Sequence, residues 1–304
     1  METNIFGFIE YSLIIESYSK SSYILNNEFF MYRFNIFNSI TLKSFQEQSD
    51  KNFSIFLLHS NSIPDNYKKM FIQLEQENNF LKNIFIDQHY FICSEANKEI
   101  QEIIRENIKK NYLKSNNNAI ITFRIDNDDA VPKTFIENIK KYCKQEYENT
   151  VINFPKIIQI QRISDDEYLS NNQFFPSNSI GMGYVSTLNN LVTVFELGSH
   201  PKIVMRRNIL LLPFACGLQT INGKNSANSL DYSHLQKKSY KETKNLLKEN
   251  NFSDFDIKSL GIIPLKFKRK IKLFIIAYIF FLIEKHRNHF VNEIKTTLKT
   301  LRKL

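Results

Sequence analysis

Glycine and proline are scarce in this chain, seven of each in 304 residues, and no internal repeat is present. Collagen-like, solenoid and low-complexity architectures are thereby excluded. Cysteine is rarer still. Cys93, Cys143 and Cys216 are odd in number, lie far apart and form no CxxC pair, so neither a disulfide framework nor a zinc ribbon is indicated, and a reducing compartment fits. Glu2, Glu10 and Glu16 stand where a secretion signal would need a basic and then an apolar stretch, and the expectation is a protein that stays in the cytoplasm. Most of the chain also lacks an excess of charge. The formal net charge is +9, but the 41 residues from Pro264 onward hold 11 Lys and Arg against 2 Glu, leaving 29 basic and 29 acidic residues elsewhere. A neutral body with a basic tail offers no extended groove for nucleic acid.

What is present is apolar material: 42% hydrophobic residues and 13% aromatics, enough for one large core or a core with a smaller appendage. The pattern predicts a strand over Tyr32–Phe37, a short helix over Ser39–Gln48 and a strand over Phe53–His59. Pro64 and Asp65 open a helix whose Tyr67, Met70, Phe71 and Leu74 share one face. A third strand is expected over Asn83–Asp87, followed by a long helix capped by Ser94 with the stripe Ile100, Ile103, Ile104 and Ile108. Ala119–Phe123 is nearly all apolar, as in a strand buried on both faces. Pro132 then begins a helix with Phe135, Ile136, Ile139 and Cys143 on its buried side, and Val151–Ile160 returns as a strand. This alternation predicts an α/β domain with a largely parallel sheet covered on both faces, its ligands outside the carboxyl ends of the strands.

Immediately after the buried strand, Arg124–Pro132 reads RIDNDDAVP, with Asp126, Asp128 and Asp129 inside four residues. Their mutual repulsion is relieved by a cation, and hard divalent ions such as Mg²⁺ or Mn²⁺ favour one or two carboxylates plus phosphate oxygens. A metal held by Asp126 and Asp128 would neutralise a diphosphate leaving group. The alternative is an acidic turn that starts a helix. A calcium loop of the EF-hand kind is excluded, because Val131 stands where its glycine would be.

The string IDNDDAVPKTFIE resembles the donor-binding loop and following helix of GT-A glycosyltransferases. The segment Arg33–Tyr67, TVFELGSHPKI over Thr193–Ile203 and LQTINGKNSAN over Leu218–Asn228 are similar to the rhamnosyltransferase family of bacterial polysaccharide loci. The likeness runs in order over about residues 31–230. It implies a GT-A-like, Rossmann-type nucleotide-sugar-binding domain over 31–255, with a lead-in over 1–30 and a basic amphipathic helical extension over 260–304. It further implies a nucleotide pocket in which Arg33 reaches base or phosphates, Arg124 pairs with Asp126 or the donor phosphate, and Asn127 and Asp129 line the donor loop. His200 is placed where related enzymes supply a further metal ligand. Asn222 stands where the family often has histidine, while Asn222, Gly223, Asn225 and Asn228 form either a polar donor or acceptor loop or a simple turn. The catalytic base for an inverting transfer falls among Asp165, Asp166, Glu167 and Glu196, with Asp166 and Glu196 the candidates. Phe174–Tyr184, with Pro176, Gly181 and Gly183, reads as an acceptor-side loop or an ordinary connection.

The tail places a basic cluster over Lys266–Lys272 before the uncharged Leu273–Ile283. Eleven residues are too short to span a bilayer as a helix, which needs about 20. They suit either a peripheral helix on the anionic inner face of the cytoplasmic membrane or a helix packed on the domain. The expected activity is metal-dependent transfer of a sugar, with rhamnose the candidate, from a nucleotide-diphosphate donor to a cell-surface polysaccharide or lipid-linked glycan. The rival is a membrane-peripheral glycan-binding protein without turnover. A nucleotidyltransferase would need a glycine-rich phosphate loop, and Gly7 is the only glycine before Gly181.

Overall fold

The computed structural model describes residues 3–12, 27–87, 98–112, 118–174, 178–198, 203, 208–212, 216–221 and 236–263. Contacts divide the chain into a unit over Met1–Ile263 and a second over Pro264–Leu304; the tail expected to meet a membrane lies outside the described residues. So do His200, Ser94 and the Asn222–Asn228 segment.

A seven-stranded sheet has the order β3-β2-β1-β4-β8-β5-β9. Its strands are β1 (Ile5–Ser12), β2 (Ser54–Ser60), β3 (Leu81–Ile86), β4 (Ala119–Arg124), β5 (Thr150–Asn153), β8 (Gly183–Thr187) and β9 (Asn208–Leu211). The first four run parallel, and β8 lies antiparallel between β4 and β5. The α/β expectation is met, and both faces are covered. On one, Ile5, Ile55, Leu57 and Ile121 pack against α1 (Asn27–Ile36), α3 (Asp65–Glu77) and α5 (Phe135–Lys140) through Phe30, Phe34, Tyr67, Phe71 and Phe135. On the other, Phe6, Phe8, Phe56 and Leu58 meet Ile100, Ile104 and Ile108 of α4 (Lys98–Asn111). Spaced four residues apart, these three isoleucines form one stripe, and burying each contributes about 1.5–3 kcal/mol before the entropy of ordering is deducted.

Two expectations about the start of the chain are corrected. Tyr32–Phe37 is helical, since Phe30, Phe34 and Phe37 recur at helical spacing and all three are buried. The stretch expected as a lead-in supplies β1, the strand between β2 and β4 in the sheet. There Gly7 leaves room for the ring of Phe123 and the side chain of Ile55, which a Cβ would strike. After Ile36 the helix continues as a π-helical turn over Phe37–Leu42 and ends as α2 (Lys43–Gln46).

The strand expected over Val151–Ile160 is two strands, broken at Phe154-Pro155 because proline cannot donate to a ladder. The second piece, β6 (Lys156–Arg162), enters another sheet of order β10-β6-β7-β11. Its partners are β7 (Glu167–Phe174), β10 (Cys216–Ile221) and β11 (Gln236–Ser239). One face of this sheet packs Ile158, Ile160, Tyr168 and Leu218 on Leu247 of α6 (Tyr240–Glu249) and on Phe252, Phe255 and Ile257. Within Phe174–Tyr184, Phe174 ends β7, and Gly183 and Tyr184 are paired in β8, so both ends of the expected loop are strand.

Candidate functional site

Strand order in the parallel part of the large sheet reverses between β1 and β4, and the crevice beyond their carboxyl ends is where open α/β sheets take ligands. Tyr11 closes β1 there. At the end of β4, Ile125 N–H donates to Phe8 O at 3.2 Å, and the chain turns at once into Asp126–Asp129, closed by Asp129 N–H donating to Asp126 O at 3.2 Å.

Three elements hold the turn. From α1, the Arg33 guanidinium is 2.7 Å from an Asp128 carboxylate oxygen and also donates to Asn127 Oδ1. From β1, Tyr11 O accepts Asn127 Nδ2–H at 3.2 Å. From the second sheet, Thr220 donates twice: its hydroxyl to Asp128 O at 2.5 Å and its N–H to an Asp129 carboxylate oxygen at 3.2 Å. Ala130 and Leu218 complete the attachment by exchanging backbone hydrogen bonds at 3.0 and 2.9 Å.

Asn127, Asp128 and Asp129 are buried, whereas the Asp126 side chain reaches the surface. Burial pushes the Asp129 carboxyl well above the usual carboxylate range; Asp128 and Asp126 add to the rise, and the Thr220 N–H opposes it. Asp126 is raised first by the protein crowded round its carboxylate, with Arg124 drawing it down and Asp128 lifting it. Burial works against the Arg33 charge, but Asp128 more than compensates, so the guanidinium holds its proton more firmly than usual. The Tyr11 hydroxyl is buried without a hydrogen-bond partner among the described residues, and burial raises its pKa strongly. Its ring lies 4.7 Å from Phe71 and 5.1 Å from Phe37.

The loop's donor set fits a hard divalent cation. Asp126 and Asp128 are oxygen donors two residues apart, with the Asp129 carboxylate adjoining them, and three carboxylates within four residues are a local charge density that a cation relieves. Among the described residues no three His, Cys, Asp or Glu side chains are grouped to hold a metal, so phosphate oxygens would have to complete such a shell.

Arg33, Asn127, Asp128 and Asp129 are thus in direct contact or adjacent, with Asp126 beside them. Arg33 arrives from α1 rather than from the strand expected over Tyr32–Phe37. Arg124 lies just before the turn, its guanidinium 5.4 Å from the Phe195 ring centroid. Glu196 is occupied elsewhere: one carboxylate oxygen accepts Thr193 N–H at 2.8 Å in a capping box, and the other pairs with Arg105. Asp166 is exposed in the turn between β6 and β7. Tyr11 and Thr220 escaped the sequence reading of the site. Tyr11 lies near the end of β1, in a stretch expected as a lead-in, and Thr220 sits inside the LQTINGKNSAN segment, whose asparagines carry the expectation instead.

A family model described as "Putative rhamnosyl transferase" matches residues 12–233. No curated protein matches the chain. Among solved structures, residues 1–349 of Staphylococcus aureus TarS in complex with UDP-GlcNAc are 9% identical, with 76% of this chain and 61% of that one covered at a TM-score of 0.43. A "putative nucleotide-diphospho-sugar transferase" from Desulfovibrio desulfuricans is 10% identical, with 83% and 100% covered at a TM-score of 0.37. The chain therefore spans about three fifths of the TarS fragment, and likenesses this distant say nothing of donor or acceptor.

Proposed function

Since the chain belongs to the family described as putative rhamnosyl transferases, we propose that it is a glycosyltransferase that moves a sugar from a nucleotide-diphosphate donor to a hydroxyl of a glycan or lipid-linked glycan. One observation carries the reading: a buried aspartate turn at the carboxyl end of β4, gripped by Arg33 from one side and Thr220 from the other. In the reaction the bond from the anomeric carbon to the diphosphate oxygen breaks, a bond from that carbon to the acceptor oxygen forms, and the acceptor proton passes to a carboxylate. Asp126 and Asp128 would hold a Mg²⁺ or Mn²⁺ ion, which when bound neutralises charge on the leaving diphosphate. Arg33, already charged and next to the turn, supplies a second cation for phosphate oxygens. Of the two candidate bases, Glu196 is committed to its cap and to Arg105, which leaves Asp166 as the remaining candidate. His200 stays a candidate third ligand, and a rhamnosyl donor, a cytoplasmic location and a membrane-bound acceptor belong to the same proposal.

A reading without turnover draws on the same geometry, because Arg33 already neutralises Asp128. The two separate in a calorimetric titration with UDP, GDP, CMP and dTDP, with and without Mn²⁺, on the wild type, Asp126→Ala and Asp128→Ala. The transferase reading expects one nucleotide to bind in a metal-dependent way and both variants to lose that binding. Failure of every nucleotide to bind the wild type would sink it.

A further inference from the structure

Residues alternate across a strand, so the β6 residues that point away from Leu247 and Phe255 are Ile157, Gln159 and Gln161. Along this face the chemistry changes partway. Ile157 lies in the core shared with the large sheet, and its partner Gly217 is so tightly covered that an added Cβ would lie 2.8 Å from Ile180. Two residues on, the face becomes amide: Gln219, Gln159 and Asn171 stand directly opposite one another on β10, β6 and β7. Gln161 follows, flanked by Ile221 and Leu169.

Nothing in folding asks for this row. A sheet face continuing a core is filled most favourably by β-branched residues, and buried amides cost free energy unless every polar atom is matched. Here matching is incomplete. Gln161 is 1% exposed; its Nε2 donates to Ile263 O at 3.1 Å, but its Oε1 has no hydrogen-bond partner among the described residues. Gln159 Nε2 donates to Gln219 Oε1 at 2.8 Å, which fixes both side chains and leaves an acceptor on one and a donor on the other. The row shares β10 with the attachment of the aspartate turn, on the face opposite the Thr220 side chain. Gln219 directly precedes Thr220, and the turn is bonded along the edge of β10 through Ala130 and Leu218, roughly 3.3 Å of strand per residue away.

We propose that Gln159, Gln161, Gln219 and Asn171 form a subsite for the hydroxyl groups of a sugar ring. An amide offers a donor and an acceptor side by side, which suits neighbouring hydroxyls that each donate and accept. Neutral amides recognise them without the charge that would repel or capture a diphosphate. The sugar belongs either to the donor or to the acceptor, and the proposal rests on the transferase reading only for the donor's place at the aspartate turn.

The test uses the full chain and the variants Gln159→Leu and Asn171→Ala, with thermal unfolding as a check on folding. Saturation-transfer NMR with methyl glycosides of rhamnose, glucose, galactose and N-acetylglucosamine needs no nucleotide and reports the acceptor arm. Calorimetry of UDP-GlcNAc, GDP-mannose and dTDP-rhamnose against UDP, GDP and dTDP reports the donor arm. The expected result is a roughly tenfold weakening by either folded variant in one arm, with binding of the bare nucleotide unchanged. Glycoside binding lost in the variants of a protein that binds no nucleotide would uphold the subsite and overturn the transferase reading instead. The proposal is overturned if the wild type gains nothing from any sugar, or if both folded variants match it in both arms.

Discussion

Lowering the pH from 7.5 to 5 should cost the protein about 2 kcal/mol through His59 alone. His59 lies on β2 with no exposed surface, its ring centroid 4.1 Å from that of Phe71 and 5.2 Å from that of Phe85. Asn83 donates its amide protons to Phe71 O and to Glu75, so its Oδ1 is the atom facing the imidazole and accepts from Nε2–H at 3.0 Å. That bond favours the charged ring, but burial outweighs it and pulls the pKa from 6.5 down to about 3. Below pH 6.5 the unfolded chain therefore takes a proton that the folded chain refuses. Stability is fully present above that value and falls by about 1.4 kcal/mol per pH unit until the folded pKa is reached. The raised carboxyls of Asp126 and Asp129 act in the opposite sense, since the folded state binds their protons more readily. His59→Gln removes the titration and keeps a donor near Nε2. Urea unfolding of both proteins, followed by far-UV circular dichroism because the chain has no tryptophan, isolates the histidine. The wild type should lose about 2 kcal/mol relative to the variant between pH 7.5 and 5, and parallel losses would refute the reasoning.

Arg33→Met removes the cation beside the buried Asp128 carboxylate and should cost about 3 kcal/mol in urea unfolding, with Mn²⁺ raising the variant's Tm more than that of the wild type. Gly7→Ala drives a methyl into the Phe123 ring beneath the central strand, and a loss of about 1–3 kcal/mol or outright failure to fold is expected by the same assay. Ser239→Ala removes the side-chain acceptor for the Glu242 N–H at the start of α6 and should lower stability by about 1 kcal/mol, with nucleotide binding unchanged. Glu196→Gln should weaken the Arg105 ion pair and the Thr193 cap, appearing in Tm rather than in the pH profile of turnover.

Where local pattern and burial coincide, the sequence was readable. Ala119–Phe123 is apolar because both sheet faces are covered there, and the isoleucines of α4 recur because only one side of that helix is covered. The aspartates announced themselves by density. IFGFIEYS was missed as a strand because Gly7 and Glu10 interrupt its pattern, although the glycine is demanded by the Phe123 ring, contributed from more than a hundred residues away. Tyr32–Phe37 misled in the opposite direction. Its β-forming aromatics are helical because Phe30, Phe34 and Phe37 share a face that the large sheet buries, a tertiary reward that overrides propensity. The role of Thr220 was illegible for a similar reason: its two hydrogen bonds to the turn cross about ninety residues of sequence, and no local spacing encodes them.

The π-helical turn over Phe37–Leu42 acts as a phase shifter. Such a turn holds one residue more than an α-helix would over the same path, which resembles an insertion absorbed without breaking the rod. Upstream of it, α1 carries Arg33; downstream, Phe45 of α2 is packed in the core. Winding the same residues as a regular α-helix, with the surplus residue no longer absorbed, would rotate one segment by about 100° against the other. With Phe45 held in place, the rotation would carry Arg33 off the aspartates and expose Phe30 and Phe34. The π-turn therefore sets the angle at which a cation meets the loop, a consequence that no single side chain in the segment carries.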